Sequence, residues 1–210
     1  MRDFIETIKS SRVVLTEGGI IERIRRNRDI ELDPFIAHSG MIYEQIKSLD
    51  QSGVDFIMAS TQPAFLEAMG IALALSKFTI PYIISFVVTP EGTLLDGTPV
   101  HEAIDKIDSQ VNPQPFYYMI NCVHPSLFKQ AMNKELILSP NLNKRILGIQ
   151  ANISSKSPDE LESLSYLDTT EPKEFADSIV ELHQLYDIKD TRRLLWIGCT
   201  TYYRNSETSQ

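Results

Sequence analysis

The feature that most limits what this chain can fold into is a recurrence of short, uninterrupted apolar runs. They are Val13-Val14-Leu15, Val54 to Ala59, Tyr82 to Val88, Phe116 to Ile120, Ile146 to Ala151 and Leu194 to Ile197. A strand with one wet face alternates apolar and polar residues, whereas runs without alternation belong to strands covered on both faces, as in parallel sheets. Between them lie stretches with helical spacing: Ile20 to Ile24, Met41 to Leu49, Phe65 to Leu75, Val100 to Ile107, Ser126 to Met132 and Phe175 to Leu185. The alternation predicts an α/β domain of repeated βα units joined by right-handed crossovers. Spacing alone leaves an open doubly wound sheet and a closed barrel as alternatives. In both, chemistry collects where strands end and helices begin.

With 210 residues, 42% of them hydrophobic, the chain can bury one sizeable core, and residues 1–210 read as a single domain. A net charge of −8 and no basic cluster longer than Arg25-Arg26 argue against nucleic acid and anionic membrane surfaces as partners. Small molecules are the expected partners. The polar segment Met1 to Ser11 and the lack of an apolar run near the roughly 20 residues of a membrane span point to a cytoplasmic location. Asn152 to Lys173, rich in Ser, Asp, Glu and Pro, reads as surface loops with a short helix, and 204–210 as a disordered tail. Gly92, Asp96-Gly97 and Pro99 read as a turn entering a helix, and Glu67 as a carboxylate favoured by a helix start.

Several strands finish in small or polar residues that a parallel sheet would gather at one rim. These are Glu17-Gly18-Gly19, Ser60-Thr61, Ser85, Asn121-Cys122, Asn152 and Gly198-Cys199-Thr200. Cys122 and Cys199 each end a different predicted strand, so two thiols can converge on one ion such as zinc, which favours thiolate ligands. Two small buried apolar side chains are the plainer alternative, and a disulfide the least favoured in a reducing compartment. The Glu17 carboxylate can hold a ligand ammonium, or the segment is a glycine turn with a solvated Glu. His124 stands two residues after Cys122, within reach of a metal there or hydrogen-bonded in a loop. His38, His101 and His183 carry no motif and read as surface or packing residues.

The stretch Tyr118-Met119-Ile120-Asn121-Cys122-Val123-His124-Pro125 resembles the Asn-Cys strand end of the homocysteine S-methyltransferase family. Leu15-Thr16-Glu17-Gly18-Gly19 is similar to the family's first strand, and Gly53-Val54-Asp55-Phe56 through Glu67-Ala68 to its fourth strand and following helix. Pro81 to Phe86 with Gly92 to Gly97 resembles the next strand and loop, Ile149 to Ser157 the penultimate strand, and Trp196 to Thr200 the last. The resemblance implies a TIM-barrel-like parallel β/α-barrel and a methyltransferase that passes a methyl group to the thiol of homocysteine, with a place in methionine biosynthesis. It implies Zn2+ as cofactor, with Cys122 and Cys199 as ligands, and a small-molecule thiol and a methyl donor as partners. Substrate would be bound by Glu17, Gly18, Gly19, Ser60, Thr61, Ser85, Asn121 and Asn152.

Three departures from the family pattern bear on this. The first strand at Val13 is followed so soon by the run at Val54 that two of the eight βα units are missing. A shortened barrel must close more tightly, stay open, or cover its edges with another chain, for which a homo-oligomer is the simplest form. Thr200 stands where the family has a third zinc cysteine, leaving His124 as a substitute ligand, and a hydroxyl is a poor replacement for a thiolate. Ser60 occupies the position of a Glu that helps bind the substrate amino group. The rival reading is therefore a catalytically impaired remnant that binds a small molecule or another subunit.

Overall fold

The structure, a computed structural model, describes residues 39–156, 160, 164, 166 and 168–186. The expectations placed on Val13 to Ile24, His38, Leu194 to Thr200 and the tail 204–210 lie outside the described residues. Within them, the chain runs α1 (Ser39–Gln51), β1 (Ile57–Gln62), α2 (Phe65–Leu75), β2 (Tyr82–Phe86), α3 (Val100–Gln110), β3 (Tyr117–Val123) and α4 (Pro125–Leu138). A 3-10 turn (Pro140–Lys144), β4 (Ile146–Ala151) and α5 (Pro172–Leu185) follow. All four expected strands that fall in this range are present.

The strands pair in parallel in the order β1-β2-β3-β4. Each crossover steps one strand onward in the same direction, and the reversal that marks a doubly wound sheet is absent among the described strands. The described strands form an open parallel sheet with β1 and β4 at its described edges, an α/β arrangement consistent with part of a β/α-barrel. Every residue of β2 is buried, as an uninterrupted apolar run requires. Tyr82, Ile84, Phe86, Tyr118, Ile120 and Ile149 pack into the main core with Leu75, Ile104, Phe128 and Leu182 of the helices. Ile83, Tyr117 and Met119, on the other face, form a second cluster with Phe56, Met58 and Leu147. Burying each such Ile, Phe or Met contributes about 1.5–3 kcal/mol.

Helix starts follow local chemistry. Pro125 and Pro172 stand at the beginning of α4 and α5, where a missing N–H costs nothing. Val100, Ala103, Ile104 and Ile107 give α3 a buried stripe at helical spacing. The loop entering α3 is the turn expected from its glycines: Gly92 and Gly97 adopt φ +87 and +86, and Thr93 bridges Pro99. Its Asp96 Oδ2 accepts the Phe65 N–H at 2.7 Å, capping α2 from a distance.

The segment after β4 lies at the surface, as expected, at its described residues Ser155, Glu160, Tyr166 and Thr169, but its start is anchored. Asn152 and Ser154 are buried, because the Asn152 N–H continues the ladder to the Val123 carbonyl and Thr170 returns to bond Ile153. Composition registers the polarity of this stretch but not the backbone bonds that tie down Asn152 and Ile153.

Candidate functional site

The carboxyl ends of the four strands place Ser60 and Thr61, Ser85, Asn121 and Cys122, and Asn152 at one rim of the sheet. Two of these positions break the strand regularity. Thr61 has φ 62 and Cys122 has φ 57, the left-handed region that non-glycine residues rarely enter. Pairing slips at both places, between Ala59 and Gln62 and between Asn121 and Val123. Such bulges at strand ends re-aim side chains and cluster beside functional sites.

The Asn121 amide joins three strands. Its Oδ1 accepts from the Thr61 N–H at 3.1 Å and the Ser85 hydroxyl at 2.7 Å. Its Nδ2 donates to Thr61 Oγ1 and to Cys122 Sγ, each at 3.0 Å. Ser85 and Asn121 are buried, while Ser60 and Thr61 on the described edge are exposed. Cys122 is a free, half-buried thiol among the described residues, and Cys199 lies outside them.

His124 caps α4. Its Nδ1 accepts from the Ser126 N–H at 3.3 Å and lies 2.8 Å from Ser126 Oγ, and Nε2 lies 3.2 Å from Thr170 Oγ1. With Nδ1 as acceptor, the neutral ring carries its proton on Nε2. Burial pushes its pKa below the ordinary histidine value, against a smaller upward pull from Glu174. The structure thus uses His124 as a cap with both nitrogens occupied, and recruiting it as a substitute zinc ligand would break one of these bonds.

Sequence reasoning missed two neighbours of the rim, Gln62 and Thr170. Gln62 donates from Nε2 to the Ser60 carbonyl, and its Oε1 is buried without a hydrogen-bond partner. Asn152 Oδ1 is likewise buried without one. A polar residue closing an apolar run is a usable signal for Gln62, whereas the role of Thr170 depends on a chain return that no local pattern shows. His101, read as a surface or packing residue, donates its backbone N–H to buried Glu135 at 2.9 Å and sets Nδ1 2.8 Å from the same carboxylate oxygen.

Among the described residues no three His, Cys, Asp or Glu side chains stand together as a metal site. Cys122 supplies one thiol, and the Asn121 N–H on its sulfur is the kind of outer hydrogen bond that orients a metal thiolate. The donor chemistry present therefore suits one ligand of a zinc shell. Glu17, Gly18, Gly19, Cys199 and Thr200 lie outside the described residues. No helix among the described residues is long and apolar enough to cross a membrane.

A four-stranded parallel sheet with helical crossovers and a polar, thiol-bearing rim at the carboxyl ends of its strands defines an α/β protein, and it is at this rim that such folds bind ligands. The family model described as homocysteine S-methyltransferase matches residues 21–200, and the chain belongs to that family. No curated protein matches it.

Proposed function

We propose that the chain is a zinc-dependent S-methyltransferase that transfers a methyl group to the thiol of homocysteine or a related thiol. The observation that carries this reading is Cys122 itself. It is a free thiol turned into the left-handed region at the end of β3, with the Asn121 amide on its sulfur. Family membership supplies the reaction class. Cys122 and Cys199 would hold the metal, with Thr200 beside them and His124 in reserve. When bound, zinc supplies Lewis-acid activation of an acceptor thiol.

The chain's own residues do the rest of the work. Glu17 holds the substrate amino group beside Gly18 and Gly19, whose small size allows close approach. The exposed Ser60 and Thr61 offer hydroxyls to the substrate, and Asn152 presents a buried, unpartnered amide oxygen. Ser85 and Asn121 order the shell beneath them. A shortened barrel whose edges a second copy covers and a cytoplasmic location complete the reading.

Metal content of the purified protein tests it. Zinc near one equivalent in the parent, lost in Cys122→Ser, is the expected result; a parent chain without zinc overturns it. Methyl transfer to homocysteine across sulfonium, ammonium and folate-type donors then tests the reaction. A second reading, an impaired family member that binds a small molecule or a subunit, is favoured by one feature: Thr200 at the position of a third zinc cysteine. Stoichiometric zinc with no transfer to any donor is the outcome that selects it.

A further inference from the structure

We infer that Asn121 is a positioning residue that locks the backbone of Thr61 on β1 and the thiol of Cys122 on β3 into one unit. This rests on the reading of the rim as the site and says how that rim is held. A primary amide has two acceptor lone pairs and two N–H donors. In Asn121 all four are spent inside the protein: Oδ1 on Thr61 N–H and Ser85 Oγ, Nδ2 on Thr61 Oγ1 and Cys122 Sγ. The side chain is 2% exposed, so no capacity is left to bind a ligand.

What the amide holds is unusual backbone. Thr61 and Cys122 are the non-glycine residues at positive φ among those described, and they sit on strands that are not hydrogen-bonded neighbours, with β2 between them. Such conformations persist where surrounding bonds over-determine them. Here one side chain touches both: it grips Thr61 by its N–H and its hydroxyl, and Cys122 by its sulfur. A strand end that relaxes on β1 therefore releases the thiol on β3.

Carbon chemical shifts of Thr61 and Cys122 test this, recorded on the full chain without zinc, thiol or methyl donor. In the parent both residues are expected to show the Cα and Cβ pattern of left-handed backbone. In Asn121→Ala both lose it together, while signals from Ile83 and Ile149 in the same sheet stay in place. Thr61→Val removes only one hydroxyl, and it is expected to move the Cys122 Cβ signal although the change is on another strand. Should Asn121→Ala fail to fold, Thr61→Val decides the question by itself. A Cys122 signal indifferent to Thr61→Val, or a left-handed pattern that survives Asn121→Ala, overturns the inference. A purely structural role would lower the unfolding midpoint without moving these two local signatures in the folded protein. The readout involves no turnover, so the loss of either conclusion leaves the other standing.

Discussion

A β-carbon at Gly92 would stand 2.7 Å from Cγ and 2.9 Å from Oε1 of Glu135, on a backbone at φ +87. Glu135 is buried and tied to both the N–H and the ring of His101, so it cannot swing aside without breaking those bonds. Gly92→Ala is expected to cost about 1–3 kcal/mol from strain and crowding, read as a lowered urea midpoint. Asp96 carries a second residue-scale prediction. Slight burial works to raise its pKa, but the N–H groups of Thr98 and Phe65 outweigh it and hold the carboxyl below its usual value. The stability it adds is therefore full above the unfolded carboxyl value of about 3.9 and fades as pH falls through the lower folded value. Asp96→Ala should cost about 1 kcal/mol at neutral pH as a lost cap, and parent and variant should converge in urea melts under acid. Little of this was legible beforehand. The sequence marks Asn121, Ser85 and Thr61 as polar strand ends, but their mutual bonds span separations of 60 and 36 residues, which no local pattern encodes.

The elements divide their labour between the two ends of the sheet. Opposite the rim, Arg145 donates from Nε and Nη2 to Asp108 at 2.7 and 2.8 Å, and the Tyr118 hydroxyl adds a bond at 2.9 Å to the same carboxylate. Arg145 also reaches the carbonyls of Pro115 and Phe116, fastening the end of α3 to the entries of β3 and β4. Burial works against the guanidinium charge, and Asp108 more than restores it. Lysine cannot reproduce the two-pronged contact, so Arg145→Lys is expected to cost about 1–3 kcal/mol in urea melts. Element types followed from apolar period alone, with β4 and α2 bounded as expected because their apolar runs end where the elements do. β3 runs on to Val123 past the apolar stretch, since Asn121 pairs with Gln150 and Val123 with Ala151. β1 starts later than its run, because Gly53 turns at φ 78 and Val54 is left exposed. Pro172, a helix-start signal, moves α5 upstream of the expected Phe175.

For the whole molecule, the ordered series of motifs was legible as a family resemblance, and the match over residues 21–200 bears that out. The parallel α/β sheet expected from the uninterrupted runs is present, whereas its strand order was beyond the spacing, because nothing in Tyr82–Phe86 or Ile146–Ala151 states which neighbour each strand takes. β1 leaves Ser60 and Thr61 exposed at a described sheet edge, and an uncovered edge of a parallel sheet invites association. We expect light scattering to give at least twice the 23.9 kDa of one chain; a stable monomer would remove the idea that a second copy covers the edges. The strand order also bears on synthesis. Because β1, β2, β3 and β4 lie side by side in the order in which they are translated, each βα unit leaving the ribosome finds the preceding one already available as its template. No strand of this part has to wait for a later one to be threaded between it and its neighbour, so assembly can keep pace with elongation.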